Sequence, residues 1–174
     1  MGIWDVKASD DREQWTYEPV TAIGPLRFGM RAVEVSEALG DRPSSSRSGQ
    51  VPTGEMRLVL ERFSRRGVVA FYTREGALAG VAVDAQRGPQ VRLEGEELTG
   101  RVPSEMEAWL TGLLESRDLG LLYTQDGNPA SVDLGLVLRA QRAGDVVLTR
   151  PLFLIGDWVD NLWDSLPAEE WHTF

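Results

Sequence analysis

The chain has 174 residues, 42% hydrophobic and 26% charged, with a formal net charge of −9 and no cysteine. That length suits one domain with its own core and is cramped for two; the missing cysteines exclude disulfides, thiol nucleophiles and thiolate metal sites, and the acidic balance argues against nucleic acid, whose binders need a basic face. No apolar run approaches the roughly 20 residues of a bilayer crossing, and the first residues show no basic flank followed by an apolar core, so the expectation is a cytoplasmic protein with neither a membrane nor a nucleic-acid partner.

The acidity is carried by the ends. Residues 1–20 have a net charge of −3 and residues 157–174 a net charge of −5, which leaves the 136 residues between them at −1. The first patterned stretch is IGPLRFGMRAVEVSEALG, residues 23–40. Phe28, Ala32, Val35 and Leu39 recur at helical spacing, so a short helix is expected near 30–39, with Gly40 at the position after its end. Neither three closely spaced glycines nor a Gly-Lys-Ser/Thr step is present, so the stretch reads as strand, turn and helix rather than a phosphate cradle. Residues 41–55, DRPSSSRSGQVPTGE, carry no periodic apolar positions and are expected to form an exposed, mobile loop.

Four β-rich segments follow at 56–63, 68–74, 78–85 and 89–95, separated by Arg66-Gly67, Glu75-Gly76 and Arg87-Gly88. The spacing suits antiparallel hairpins and is too tight for the crossover helices of a parallel sheet. Residues 104–117 predict a helix with Ser104 and Glu107 as a capping box and an apolar face of Met106, Leu110, Leu113 and Leu114. Gly112 inside it costs about 1 kcal/mol relative to alanine, which implies a close backbone contact there. Further strands are expected at 119–125, 131–140 and 146–155. Residues 132–139 alternate as a strand with one buried face would, and Pro151 implies a bend or an edge.

The last element predicted is a helix over 157–166, capped by Asp157 and stopped by Pro167. Its apolar stripe is Trp158, Val159, Leu162, Trp163 and Leu166; Asp157, Asp160, Asn161, Asp164 and Ser165 share the other side. Together these elements predict a single α+β domain with a largely antiparallel sheet of six to eight strands and about three helices, near 30–39, 104–117 and 157–166, on one face or at the ends.

The string GPLRFGMRAVEVSEALG resembles the Gly-Met, Glu-Val, Leu-Gly opening of β-lactamase inhibitor proteins, small outer-membrane assembly lipoproteins and uncharacterised actinobacterial proteins. In those families the Gly-Met step starts a helix that packs across an antiparallel sheet, and the β-lactamase inhibitors repeat a helix-plus-sheet unit twice. Met30 and Ser104 here begin two predicted helices 74 positions apart, each followed by strands. The resemblance implies the α+β class, a tandem helix-plus-sheet repeat and a non-catalytic role. Arg31 stands where those families usually carry a Ser or Thr cap.

Catalytic constellations are not recognisable. His172 is the sole histidine, three residues from the end, and no Gly-x-Ser-x-Gly elbow presents a serine to it. Zinc would need more His or Cys ligands. Asp126-Gly127-Asn128 is similar to the start of a calcium loop but lacks the rest of the series, so a hairpin turn is expected. Glu94, Glu96 and Glu97 lie in a glycine-flanked turn, where exposure would leave a carboxyl unsuited to acid catalysis. No catalytic residue, metal or cofactor is therefore expected.

The expectation is a non-enzymatic protein-binding module of immunity-protein or inhibitor type, taking a basic, toxin-like protein partner. Its expected contact residues are Asp157, Trp158, Asp160, Trp163, Asp164, Glu169, Glu170 and Trp171, carboxylates beside aromatic anchors as interfaces favour. One alternative is a small-molecule binder or unrecognised enzyme with a pocket between sheet and helix lined by Tyr72, Trp109 and Tyr123. Another is a structural subunit of a larger assembly.

Overall fold

In the computed structural model, residues 2–167 and 170 are described. The chain begins with three short strands, β1 (Gln14–Glu18), β2 (Ala22–Ile23) and β3 (Leu26–Arg27). Helix α1 (Ala32–Leu39) leads into β4 (Ser45–Gln50), β5 (Met56–Phe63), β6 (Val68–Tyr72) and β7 (Leu78–Val83). After β8 (Gln90–Leu93) and β9 (Glu96–Glu97), helix α2 (Pro103–Ser116) leads into β10 (Leu122–Tyr123), β11 (Pro129–Ser131), β12 (Leu136–Ala143) and β13 (Val146–Leu154). Two short helices, α3 (Gly156–Asp160) and α4 (Leu162–Ser165), follow. No helix among the described residues is long and apolar enough to cross a membrane.

The protein is α+β, and its strands form two mostly antiparallel sheets. The larger has eight strands in the order β10-β11-β12-β13-β7-β6-β5-β4. It is two four-stranded meanders, each preceded by a helix, joined through their last strands, with Leu152, Phe153 and Leu154 opposite Ala82, Val81 and Gly80. The smaller sheet runs β3-β2-β1-β8-β9, so the hairpin expected between 78–85 and 89–95 does not form: β8 leaves the large sheet and pairs with β1 and β9 instead. Its β1–β8 pair is parallel, with Trp15 opposite Val91; the connection between those two strands contains the whole first meander, which meets the need of a parallel pair for a long crossover.

Both faces of the large sheet are buried at its centre, which is why β6 and β7 are apolar throughout. On the inner face Phe63, Val68, Val81, Leu136 and Phe153 pack against Trp15, Leu26, Val35 and Leu39 and against Met106, Leu110 and Leu114 of α2. On the outer face Leu60, Phe71, Val137, Leu152 and Leu154 pack under Val159 and Leu166. Each such side chain contributes about 1.5–3 kcal/mol on leaving water. Tyr17 fastens the small sheet to the large one: its hydroxyl donates to Leu134 O at 2.7 Å and accepts from Val20 N at 3.0 Å, and its ring stands 4.5 Å from Phe153. Arg12 does the same for the N-terminal segment by donating to Ala85 O and Gly88 O.

Several local expectations are corrected. Residues 45–50 form an exposed strand on β5, with a bulge between Arg47 and Ser48, rather than a loop. A polar edge strand has no apolar alternation to reveal it, and its pairing comes from its neighbour. The expected strand 119–125 shrinks to Leu122–Tyr123. Strand β12 begins only at Leu136, because Gly135 turns the chain at φ 58°, and both its faces are buried rather than one. Pro151 lies in a central strand, just past the Leu152–Ala82 pair where the β7 ladder ends, so its missing N–H breaks no described rung.

Helix starts also differ. The N-cap of α2 is Val102 with Pro103 in the first turn, so Ser104 caps nothing, and Glu107 instead accepts from the Tyr123 hydroxyl at 2.6 Å. Asp157 lies in the first turn of α3, after the N-cap Ile155. At α1 the Arg31 side chain has no acceptor to offer, so only half of a capping box forms, with Arg31 N–H donating to Glu34 Oε2 at 2.7 Å. Gly40 ends that helix in the left-handed conformation, as expected. Gly112 is exposed, with nothing near the place of a Cβ, contrary to the close contact expected there.

Candidate functional site

Strand alternation sorts the outer face of the large sheet into two zones. Leu60, Val137, Leu152 and Leu154 make an apolar zone; one step further along the same strands stand Arg62, Arg139, Gln141 and Arg150. Arg139 and Arg150 are direct cross-strand partners, and both are almost fully buried. Two guanidinium groups opposite one another on a buried face repel and lose hydration, so carboxylates are needed beside them.

Two arrive from elsewhere in the chain. Glu170, whose side chain is 0% exposed, places Oε2 3.1 Å from Arg139 Nη1 and Oε1 3.3 Å from Arg62 Nη1, and its backbone oxygen accepts from Arg139 at 2.6 Å. Asp84, just past β7, lies 3.6 Å from Arg150. Gln141 joins the network: its Oε1 accepts from Arg150 at 3.1 Å and from Ala85 N at 2.9 Å, while its Nε2 donates to Asp84 at 2.9 Å. Burial pushes the Arg139 guanidinium down to about 10, helped by Arg150 and opposed by Glu170. Burial also lowers Arg150, against the pull of Glu170 and Asp84.

The segment that brings Glu170 in is the one with the excess of acid. It crosses the apolar zone with Val159 and Leu166 buried and Trp158 and Leu162 half-buried against it. The single helix expected over 157–166 is broken at Asn161, whose Nδ2 donates to Asp157 O at 3.0 Å. Asp157, Asp160 and Asp164 remain exposed, with no ion pair among the described residues. Of the expected contact residues the structure therefore leaves three carboxylates exposed along one short segment. Trp158 turns toward the sheet, and Trp163 belongs to α4. Glu169 and Trp171, like His172, lie outside the described residues. Glu170 is a correction: it is a buried counter-ion, not a surface contact, because two sheet arginines require it.

The three residues of the alternative pocket differ widely in burial. Tyr72 is sealed in the core with its hydroxyl donating to Glu61 at 2.7 Å, and burial, reinforced by that carboxylate, raises its pKa. Trp109 is half-buried on α2 and packs against the same inner-face cluster, whereas Tyr123 is 52% exposed. In the Glu94–Glu97 turn, Glu94 pairs with Arg117 and Glu97 with Arg92; the bond from Ser9 leads the causes that hold the Glu97 carboxyl below its usual range. Asp126, Gly127 and Asn128 form a turn closed by Thr124 N–H donating to Asn128 O. Among the described residues no group of three His, Asp or Glu side chains is arranged to hold a metal ion.

Beside the arginine pair lies a groove of about 380 Å³ whose lining includes Arg62, Arg150, Arg87, Ser64, Asp84 and Gln86. Sequence reading missed this zone. Its only signal was a charged residue at an inward position of strands that are otherwise apolar: Arg139 in phase with Val137, Arg150 in phase with Leu152. Compared with known proteins, the chain matches no family model, no curated sequence and no solved structure.

Proposed function

We propose that this protein is a non-enzymatic binding module of the immunity-protein or inhibitor type, recognising a basic protein partner through the acidic outer side of α3 and α4. The observation that supports the reading is the division of labour within one segment. Val159, Leu166 and Glu170 hold it to the sheet, and Asp157, Asp160 and Asp164 are left exposed. Carboxylates displayed on an anchored segment lose little entropy on binding, and complementary charge speeds association and rejects like-charged competitors. Trp158, half-buried beneath them, adds an aromatic edge of the kind interfaces use.

The test compares the full chain with a variant carrying Asp157→Asn, Asp160→Asn and Asp164→Asn as bait in extracts of the source cells. The wild-type bait is expected to retain a basic protein that the triple variant retains at least about tenfold less, with capture declining as salt rises. Equal, salt-insensitive capture by both baits would remove this surface from consideration.

A further inference from the structure

The groove beside the arginine pair differs from the other depressions of the surface. Grooves of similar size lie along Gly40–Arg42 with Ser64 and Arg65, and over β1 to β3, so volume alone distinguishes nothing. What sets this one apart is charge and burial. Three guanidinium groups, Arg62, Arg87 and Arg150, line it against one carboxylate, Asp84, in a molecule whose net charge is −9.

The three arginines differ in exposure, from a buried floor to an open rim. Arg150 has 7% of its side chain exposed, held at the floor by Gln141 and Asp84. Arg62, with 36% of its side chain exposed, reaches from β5. Arg87 stands at the mouth, exposed, with no ion pair among the described residues. Asp84 is occupied: its Oδ1 accepts from the backbone N–H groups of Gln86 and Arg87 at 2.9 and 2.8 Å, and its Oδ2 accepts from Gln141. Asp84 also pairs with Arg150, and Glu170 pairs with Arg62 and Arg139; four guanidinium groups, Arg62, Arg87, Arg139 and Arg150, against these two carboxylates leave the cluster a positive balance. Ser64 Oγ and Gln86 add neutral hydrogen-bonding groups at the rim.

We propose that this groove is an oxyanion-binding site for a small molecule carrying a phosphate or carboxylate group. The planar fork of arginine matches two oxygens of either group, and low-dielectric walls strengthen the attraction. The cluster already shows this preference within the chain, since Arg62 and Arg139 grip the Glu170 carboxylate at 3.3 and 3.1 Å. Arg62 belongs both to that contact and to the groove, whose volume lies at the small end of ligand pockets, roughly 300–1,000 Å³. The site is separate from the acidic face of α3 and α4 and takes charge of the opposite sign, so neither proposal depends on the other.

Calorimetric titration of the full chain at low ionic strength, with inorganic phosphate in one series, succinate in another and chloride as control, tests it. Saturable binding with a Kd of about 1 mM or tighter is expected for at least one oxyanion, and the tighter of the two identifies the ligand group as phosphate or carboxylate. Arg87→Gln changes an exposed side chain away from the core and is expected to weaken that binding about tenfold with no change in melting temperature. Arg62→Gln, which also loses a partner of Glu170, is expected to weaken it further. Absence of saturable heat up to about 10 mM of either anion, equal competition by chloride, or undiminished affinity in Arg87→Gln would overturn the proposal.

Discussion

Gly112 stands exposed in the middle of α2 with open space where a Cβ would sit, so its conformational freedom stabilises nothing in the folded state. Gly112→Ala is expected to raise stability by about 1 kcal/mol and the melting temperature by about 2–4 °C in a thermal scan. Gly135 is the opposite case. At φ 58°, with the Leu154 carbonyl directly against any Cβ, Gly135→Ala is expected to cost more than about 2 kcal/mol in a denaturant titration. The tyrosines supply a pH signature at the same scale. Burial raises both Tyr17 and Tyr72 above the ordinary value of 10.0, so the folded state favours their neutral forms. The stability they contribute is fully present below pH 10 and is lost as pH rises toward their raised values. An alkaline titration followed by tyrosinate absorbance is expected to show both hydroxyls ionising together with unfolding, not before it.

Among the elements, α3 and α4 have the least intrinsic support. Helices of five and four residues cannot hold themselves in water, so the segment depends on Val159 and Leu166 beneath it and on Glu170 at its far end. Glu170→Gln withdraws a buried carboxylate from Arg139 and is expected to cost about 3 kcal/mol in denaturant unfolding. Combining it with Arg139→Met is expected to restore most of the loss, giving a coupling of about 1–3 kcal/mol in the double-mutant cycle. Additive effects would show that the pair does not anchor the segment. The same dependence explains how the exposed carboxylates are held in place: one buried ion pair and an apolar stripe fasten the segment to the sheet. Strand β4 shows the other way a weak element persists. It is polar and almost fully exposed, and its bulge and lack of apolar side chains suit an edge that does not recruit further strands.

For the whole molecule, the joining of the two meanders at β7 and β13 is decisive. Neither meander has its own core: the inner-face cluster draws Phe63, Val81 and Val83 from the first and Leu136, Leu138 and Phe153 from the second. A single cooperative unfolding transition is therefore expected, with calorimetric and van't Hoff enthalpies equal. Native-state hydrogen exchange is expected to be slowest in β6, β7 and β13, which are central and covered on both faces, and fastest at β4 and β10 on the edges. Early exchange of one whole meander would contradict this shared core.

The sequence by itself determined the class of the fold and most of its elements. Hairpin spacing in 56–83, the apolar face of 104–117 and the glycine after Leu39 are local signals, set by backbone geometry and side-chain period, and they carried over. It also placed acid and tryptophan together at the C-terminal end. Only the tertiary structure decided that β1 and β8 pair in parallel, that β12 is buried on both faces, and that Glu170 is a counter-ion, since each depends on partners distant in the chain. The arginine zone was illegible for the same reason. Arg62, Arg139 and Arg150 look like solvated charges one at a time, and they become one cluster only when strand register sets two of them face to face and a distant segment supplies Glu170.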